Sequence, residues 1–168
     1  MMKKKIDIVN LAKKYAYKMH DGQFRKDGKT PYILHPAEVV NKLKKDFEIN
    51  DPDILATAWL HDVVEEGGDL DDIVAIFGAK IGDMVNMLTK WKHYGKEVDY
   101  ALYLWKMKSI ANDQVKLIKY CDCIVNLDDL KNVPNMTKDD IDKYKKRKEL
   151  MLEKIVPDIF KYLDKVEN

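Results

Sequence analysis

The sequence predicts an all-α protein folded as a single domain, and three observations carry that prediction. Apolar residues recur at intervals of three and four along nearly the whole chain. No segment keeps the alternation of a half-buried strand, and Gly, Pro and Asp punctuate the helical runs without any linker between them. At 168 residues the chain is also near the usual size of one domain, large enough to bury a core without disulfides or a structural metal.

Taken in order, Ile8, Leu11, Ala12, Tyr15, Ala16 and Met19 form the apolar stripe of a first helix, which His20-Asp21-Gly22 stops. Residues 21–34 hold Gly22, Gly28 and Pro31 together with Arg25, Lys26 and Lys29, the pattern of a structured basic loop. His35-Pro36 opens a second helix carrying Ala37, Val39, Val40 and Leu43, because proline is tolerated in a first helical turn. Asp51-Pro52 opens a third, running through Ile54, Leu55, Ala56, Ala58, Trp59, Leu60, Val63 and Val64. Being apolar around most of its circumference, this helix belongs in the middle of the domain. A short helix begins at Asp71-Asp72 and ends at Phe77-Gly78, and Ile81, Met84, Val85 and Leu88 continue the pattern. Residues 91–99 are the least patterned stretch and read as a mobile loop. Helices over 97–112 and 113–130 follow, and a last pattern starts near 138 with Ile141, Tyr144, Met151, Leu152 and Ile155, to be broken or kinked at Pro157.

Composition removes several classes of function. Thirty Lys+Arg against 29 Asp+Glu leave a formal charge of +1, which supplies no global field for bulk nucleic acid or an anionic membrane. The mean hydropathy is −0.46, and no run approaches about 18 uncharged residues, so no membrane span is expected. The basic start MMKKK is followed by no apolar stretch of signal-peptide length. The only cysteines, Cys121 and Cys123, point to different sides of one helix, which disfavours a bridge and suits a reducing compartment. These features lead us to expect a cytoplasmic, untethered protein.

Function is sought where ionisable side chains fall on buried surfaces. Val115, Ile118, Cys121, Ile124 and Val125 give the 113–130 helix an apolar face, and Asp122 lies within its reach. His61-Asp62 sits between Trp59-Leu60 and Val63-Val64 on the most apolar helix. A carboxylate in such a place is costly to ionise unless a cation or strong donors compensate it. His35, His61, Asp62 and Asp122 therefore form a candidate ligand set for one divalent ion, and nitrogen with oxygen ligation suits manganese, iron or zinc better than calcium. Periodicity alone favours the plainer reading, in which His61 is a hydrogen-bonded core histidine and Asp122 a polar contact between helices. His20 and His93 have no partner visible in the sequence and are expected on the surface or in loops.

Four blocks, HDGQFRKDGKTPYILHPAEVV at 20–40, LATAWLHDVVEE at 55–66, FGAKIGDMVNMLTK at 77–90 and LIKYCDCIVNLDDL at 117–130, occur in this order. Together they resemble the HD-superfamily hydrolase domain of the RelA/SpoT family, and within it a stand-alone small alarmone hydrolase similar to the metazoan SpoT homologues. The resemblance implies a compact HD-domain helical bundle occupying residues 1–168, with a motif core over 20–130 and a helical tail over 138–164. It implies His35, His61, Asp62 and Asp122 as ligands of one divalent ion, usually Mn2+ in this family. It further implies Glu65 and Glu66 as catalytic carboxylates, and Arg25, Lys26 and Asn126 as substrate-binding groups. Thr89-Lys90 matches a further family dipeptide.

The implied reaction is hydrolysis of (p)ppGpp to GDP or GTP and pyrophosphate by a metal-activated water. Glu65 follows His61, and Glu66 follows Asp62, at a spacing of four, so both carboxylates are expected to project near the ligand face. Tyr32 and Tyr144 are expected as aromatic core residues. The chain departs from the family where Glu66 replaces an aspartate, Cys123 a basic residue, Val125 a His or Tyr, and Asp128 an arginine. These departures keep two alternatives open: a phosphohydrolase for another nucleotide, such as a nucleoside monophosphate or NADPH, and a nucleotide-binding module without catalysis. Nothing in the chain resembles the family's nucleotide-synthesising domain. Oligomeric state is left open by the sequence.

Overall fold

Local chemistry fixes where most of the helices begin. In the computed structural model, which describes residues 7–134 and 136–164, side chains of Asp7, Asp51, Asp69, Asp99, Asn112 and Thr137 each cap a helix by accepting from backbone N–H groups of the first turn. The helices are α1 (Ile8–Met19), α2 (Leu34–Asp46), α3 (Pro52–Leu60), α4 (Leu70–Phe77), α5 (Ala79–Leu88), α6 (Tyr100–Ile110), α7 (Asp113–Asp129), α8 (Lys138–Lys154) and α9 (Val156–Leu163). A 3₁₀ turn, Leu130–Asn132, follows α7. The all-α expectation holds.

The core is built around α3. Every residue from Ile54 to Leu60 is buried, and the helix packs against α1, α2, α5 and α7. A helix hydrophobic on all sides has no solvent face, so its end delivers side chains to the interior. α4 and α5 form a tight pair in which Gly82 is required by proximity: a Cβ there would stand 2.4 Å from Val74 Cγ2. α6, α8 and α9 close the other side of α7. Pro157 stands in the first turn of α9, so the long C-terminal pattern is divided at Ile155 into two helices, as expected.

Three expectations need correction. The third helix was expected to reach Val64, yet α3 ends at Leu60 and residues 61–67 form successive turns. Val63 N–H bonds back to Leu60 and Gly67 N–H to Val64, which tightens the chain into shorter turns ahead of the Gly67-Gly68 pair. Residues 92–97, read as loop, contain a small antiparallel hairpin, β1 (Lys92–His93) with β2 (Lys96–Glu97). Tyr94 and Gly95 at its tip both have positive φ (50° and 74°), the turn geometry that matches strand twist. The helix expected from 97 begins only at Tyr100, because Asp99 caps it.

Candidate metal centre and active-site cleft

Three elements bring the predicted ligands together. His35 stands in the first turn of α2, ahead of Pro36. His61 and Asp62 lie at the point where α3 gives way to turns, and Asp122 is in the middle of α7. Both histidines are buried, with exposures of 1% and 2%, and Asp122 is 4% exposed. His35 Nε2 lies 3.2 Å from His61 Nε2, and Asp62 Oδ2 lies 3.4 Å and 3.1 Å from these nitrogens. Asp122 Oδ1 is 3.0 Å and 3.8 Å from the same pair. His35, His61 and Asp62 offer ligand atoms that all fall within 4.8 Å of one another, so they are able to bind a metal ion.

The donor set fits a divalent ion. His61 Nδ1 lies 2.8 Å from the Ala58 carbonyl, and because a carbonyl only accepts, Nδ1 carries the proton. Neutral His61 therefore presents an Nε2 lone pair to the cluster, the tautomer a metal ligand needs, oriented by a backbone carbonyl. His35 Nδ1 is buried without a partner, which leaves its ring anchored only through the cluster side. Without an ion, protons take over the compensation of charge. Burial pulls the His61 pKa down, but Asp62 and Asp122 outweigh it and hold it up to about 10. Burial likewise opposes the Asp122 charge, yet Lys119 and the two imidazoles keep that carboxyl well below the ordinary carboxylate range. Two carboxylates facing two imidazoles at this spacing form a site for positive charge.

A second set of side chains holds the carboxylates. Tyr32 Oη donates to Asp62 Oδ2 at 2.7 Å, and burial with the Asp62 charge beside it keeps that hydroxyl protonated far above its usual range. Lys119 Nζ donates to Asp122 Oδ2 at 2.6 Å, and Asn126 Nδ2 to Asp122 Oδ1 at 2.5 Å. Tyr32 is thus more than a core aromatic. His20, expected on the surface, is buried and lies against the Tyr32 ring with centroids 4.8 Å apart, and its Nδ1 pairs with Gln23 Oε1. The side chain of His93 lies outside the described residues.

Sequence reasoning missed Lys119, whose one signal was its position three residues before Asp122 on the same helix. The Tyr32 hydroxyl left no local signal, since its partner is 30 residues away.

The acidic pair is placed differently from its helical expectation. Because α3 stops at Leu60, Glu65 and Glu66 come off turns and both are exposed. Glu65 Oε1 accepts from the Lys90 backbone N–H at 2.6 Å, so its orientation is set by the segment after α5. Crowding at its carboxyl, with the Asp62 charge behind it, raises its pKa against the pull of Lys119 and Lys90. Glu65 and Glu66 line a cleft of about 320 Å³ with Thr89, Lys90, Trp91 and Lys92. Lys90, read as a helix-ending residue, also pairs through Nζ with Glu97 at 3.0 Å.

Arg25, Lys26, Lys29, Asn126 and Tyr144 line a second cavity, of about 400 Å³. Arg25 pairs with Asp129 and donates to Asn126 Oδ1 at 3.1 Å, while Lys26 contacts the Tyr144 hydroxyl and lies 4.3 Å from its ring centroid. Asn126 therefore connects the two regions: its amide nitrogen serves Asp122 and its oxygen serves Arg25. Tyr144 is buried, as expected of a core aromatic, but its polar end belongs to this cavity.

Known proteins resemble this chain in sequence and in fold. The family described as HD domain matches residues 12–147. The chain belongs to the HD-domain family. Relatives of this HD domain include the guanosine-3′,5′-bis(diphosphate) 3′-pyrophosphohydrolase MESH1 of Danio rerio, 32% identical over 124 residues that cover 69% of this chain and 65% of that one. The protein of the same name from Xenopus tropicalis is 34% identical over 122 residues, covering 71% and 68%. The chain thus spans about two thirds of the length of these curated relatives. A solved structure, described as a metazoan ortholog of SpoT that hydrolyzes ppGpp, superposes with a TM-score of 0.76 at 25% identity, covering 98% of this chain and 96% of its own.

Within this HD domain the departures from the family pattern fall outside the basic cavity. Val125 and Asp128 border a separate shallow cleft with Lys42 and Lys45, and Cys123 is buried. Cys121 and Cys123 are both free thiols. Among the described residues no helix is long and apolar enough to cross a membrane.

Proposed function

We propose that this HD domain is a cytoplasmic, metal-dependent hydrolase that removes the 3′-pyrophosphate of (p)ppGpp, giving GDP or GTP and pyrophosphate. One Mn2+ ion held by His35, His61, Asp62 and Asp122 is its proposed cofactor. The observation that carries the reading is the junction at Asn126, where a cluster built for a cation meets a cavity lined by Arg25 and Lys26. The relatives named as ppGpp pyrophosphohydrolases supply the substrate class.

A divalent ion in this cluster supplies a Lewis acid that polarises a phosphoryl oxygen and makes water a stronger nucleophile at neutral pH. Arg25 and Lys26 bind the nucleotide: the guanidinium offers a planar fork to a base or a phosphate, and the ammonium a point charge. Substrate binding displaces Asp129 from Arg25, since both compete for the same donors. Lys29, exposed at the rim, adds attraction rather than geometry. Glu65, held by the Lys90 N–H, takes a proton from the attacking water, a task that a raised pKa favours. Glu66 stands beside it in the same cleft and relays that proton to the leaving 3′ oxygen.

The test is a panel of nucleotides incubated with the protein and Mn2+, with products separated by anion-exchange chromatography. Release of GDP and pyrophosphate from ppGpp, faster than turnover of nucleoside monophosphates or NADPH and lost in His61→Ala, is expected. A second reading, hydrolysis of a nucleotide with fewer phosphates, draws on the acidic groups Asp27, Glu38 and Asp129, which share the cavity with its three basic residues. Preferential turnover of NADPH or a monophosphate would establish it, and binding without any turnover would leave a nucleotide-binding module.

A further inference from the structure

We propose that Lys119 is a resident counter-cation of the metal centre, one that stabilises the ion-free site and restrains its affinity for the ion. This rests on the reading of His35, His61, Asp62 and Asp122 as ligands. Its starting point is an asymmetry at Asp122. One carboxylate oxygen, Oδ1, faces His35 Nε2 at 3.0 Å, while the other, Oδ2, is bonded to the Lys119 ammonium at 2.6 Å. The ammonium is not a surface group that swings by chance. Its side chain is 14% exposed, and it lies 5.3 Å from the centroid of the Tyr103 ring, itself fixed by a 2.6 Å bond from its hydroxyl to the Leu88 carbonyl. A cation over an aromatic face and against a buried carboxylate is held on two sides.

Two consequences act in the same direction. In the ion-free protein, Asp62 and Asp122 bring two negative charges to a site shielded from water, and Lys119 offsets one of them. In the loaded protein the same ammonium repels a divalent cation across a single carboxylate. Stabilising the empty state and destabilising the loaded one both lower affinity. The orientation of Asp122 does not depend on Lys119 alone, because Asn126 Nδ2 holds Oδ1 and α7 holds the backbone. Removing the charge therefore changes electrostatics more than geometry, and binding tightens. A purely structural role for Lys119 gives the opposite sign, since loss of a ligand's outer partner through misplacement weakens metal binding.

The experiment is titration of chelator-stripped protein with Mn2+ by calorimetry, with thermal unfolding of ion-free and loaded samples alongside. Lys119→Met is expected to bind Mn2+ about 10-fold more tightly than wild type, the order expected from removing one positive charge held across a carboxylate from the ion. Its ion-free form melts at a lower temperature, and Mn2+ raises its melting temperature by more than that of the wild type. Lys119→Arg keeps the charge and is expected to bind like wild type. Should Lys119→Met not fold without metal, Lys119→Gln, which keeps a donor to Asp122 but no charge, carries the same expectation. Unchanged or weaker Mn2+ binding in the folded neutral variant overturns the proposal. Wild-type protein that takes up no Mn2+ overturns the ligand assignment itself, which separates the two failures.

Discussion

Glu65 is the side chain whose replacement separates binding from chemistry. It stands apart from the four-residue cluster, its orientation comes from the Lys90 N–H, and glutamine at this position still offers an oxygen to that donor. Glu65→Gln is expected to lower kcat about 10²–10⁴-fold, the usual contribution of a general base, with Mn2+ affinity and KM little changed. The pH profile follows from the direction of its shift. A base works deprotonated, so with a pKa raised above the ordinary glutamate range the rate falls as pH drops through that raised value, and the residual rate of Glu65→Gln loses this acidic limb. Steady-state kinetics from pH 5 to 8 measure both. The meeting of His35, His61, Asp62 and Asp122 in one buried cluster was legible in the sequence because charged residues on apolar helix faces are conspicuous, and the family blocks singled out these four. Lys119, the Tyr32 hydroxyl and His20 were not, because their roles are defined by neighbours on other turns or other helices. Lys119 on α7 reads as a solvated lysine until Tyr103 of α6 is seen to cover it.

At the scale of elements, two contacts govern how the helices frame the site. α9 is held to α7 and α6 by Asp158, whose carboxylate accepts from Lys116 Nζ at 2.8 Å and lies 3.3 Å from Lys108 Nζ. The Lys116 bond leads in lowering the Asp158 pKa. A depressed carboxylate pKa gives stability that is present above the unfolded-state value near 3.9 and lost as pH falls through the lower folded-state value. Asp158→Asn should therefore cost up to about 1 kcal/mol in urea unfolding at pH 7, with the difference from wild type closing as the pH is taken below that window. Within the α4–α5 pair, Gly82→Ala sets a methyl group 2.4 Å from Val74 Cγ2 and should cost about 1–3 kcal/mol, part of which Val74→Ala recovers in the double variant. Helix identities were readable from period and caps, as Asp51-Pro52 shows for α3. The end of α3 was not, because Val63 and Val64 continue an apolar pattern while the backbone has already turned. The 92–97 hairpin was missed because two residues per strand are too few for alternation to register.

At the scale of the whole molecule, a net charge of +1 conceals a division of labour. Basic groups gather on the 21–34 loop around a cavity joined to the buried cluster through Asn126, and Glu65 and Glu66 line a separate cleft, so a polyanion and a cation can be held close together. The balanced total removes long-range attraction for bulk polyanions while leaving local recognition, which composition alone did not reveal. The central claim is that His35, His61, Asp62 and Asp122 hold the ion that makes water attack phosphorus at the 3′-pyrophosphate. Its most direct test is turnover of ppGpp with Mn2+ in ¹⁸O-labelled water, read by mass spectrometry of the products, in the wild type and in Asp122→Ala. The expected result is unlabelled GDP with one ¹⁸O in the released pyrophosphate, dependence on added metal, and no turnover by a folded Asp122→Ala protein. Label in GDP, or undiminished turnover by the chelated or Asp122→Ala protein, would contradict it.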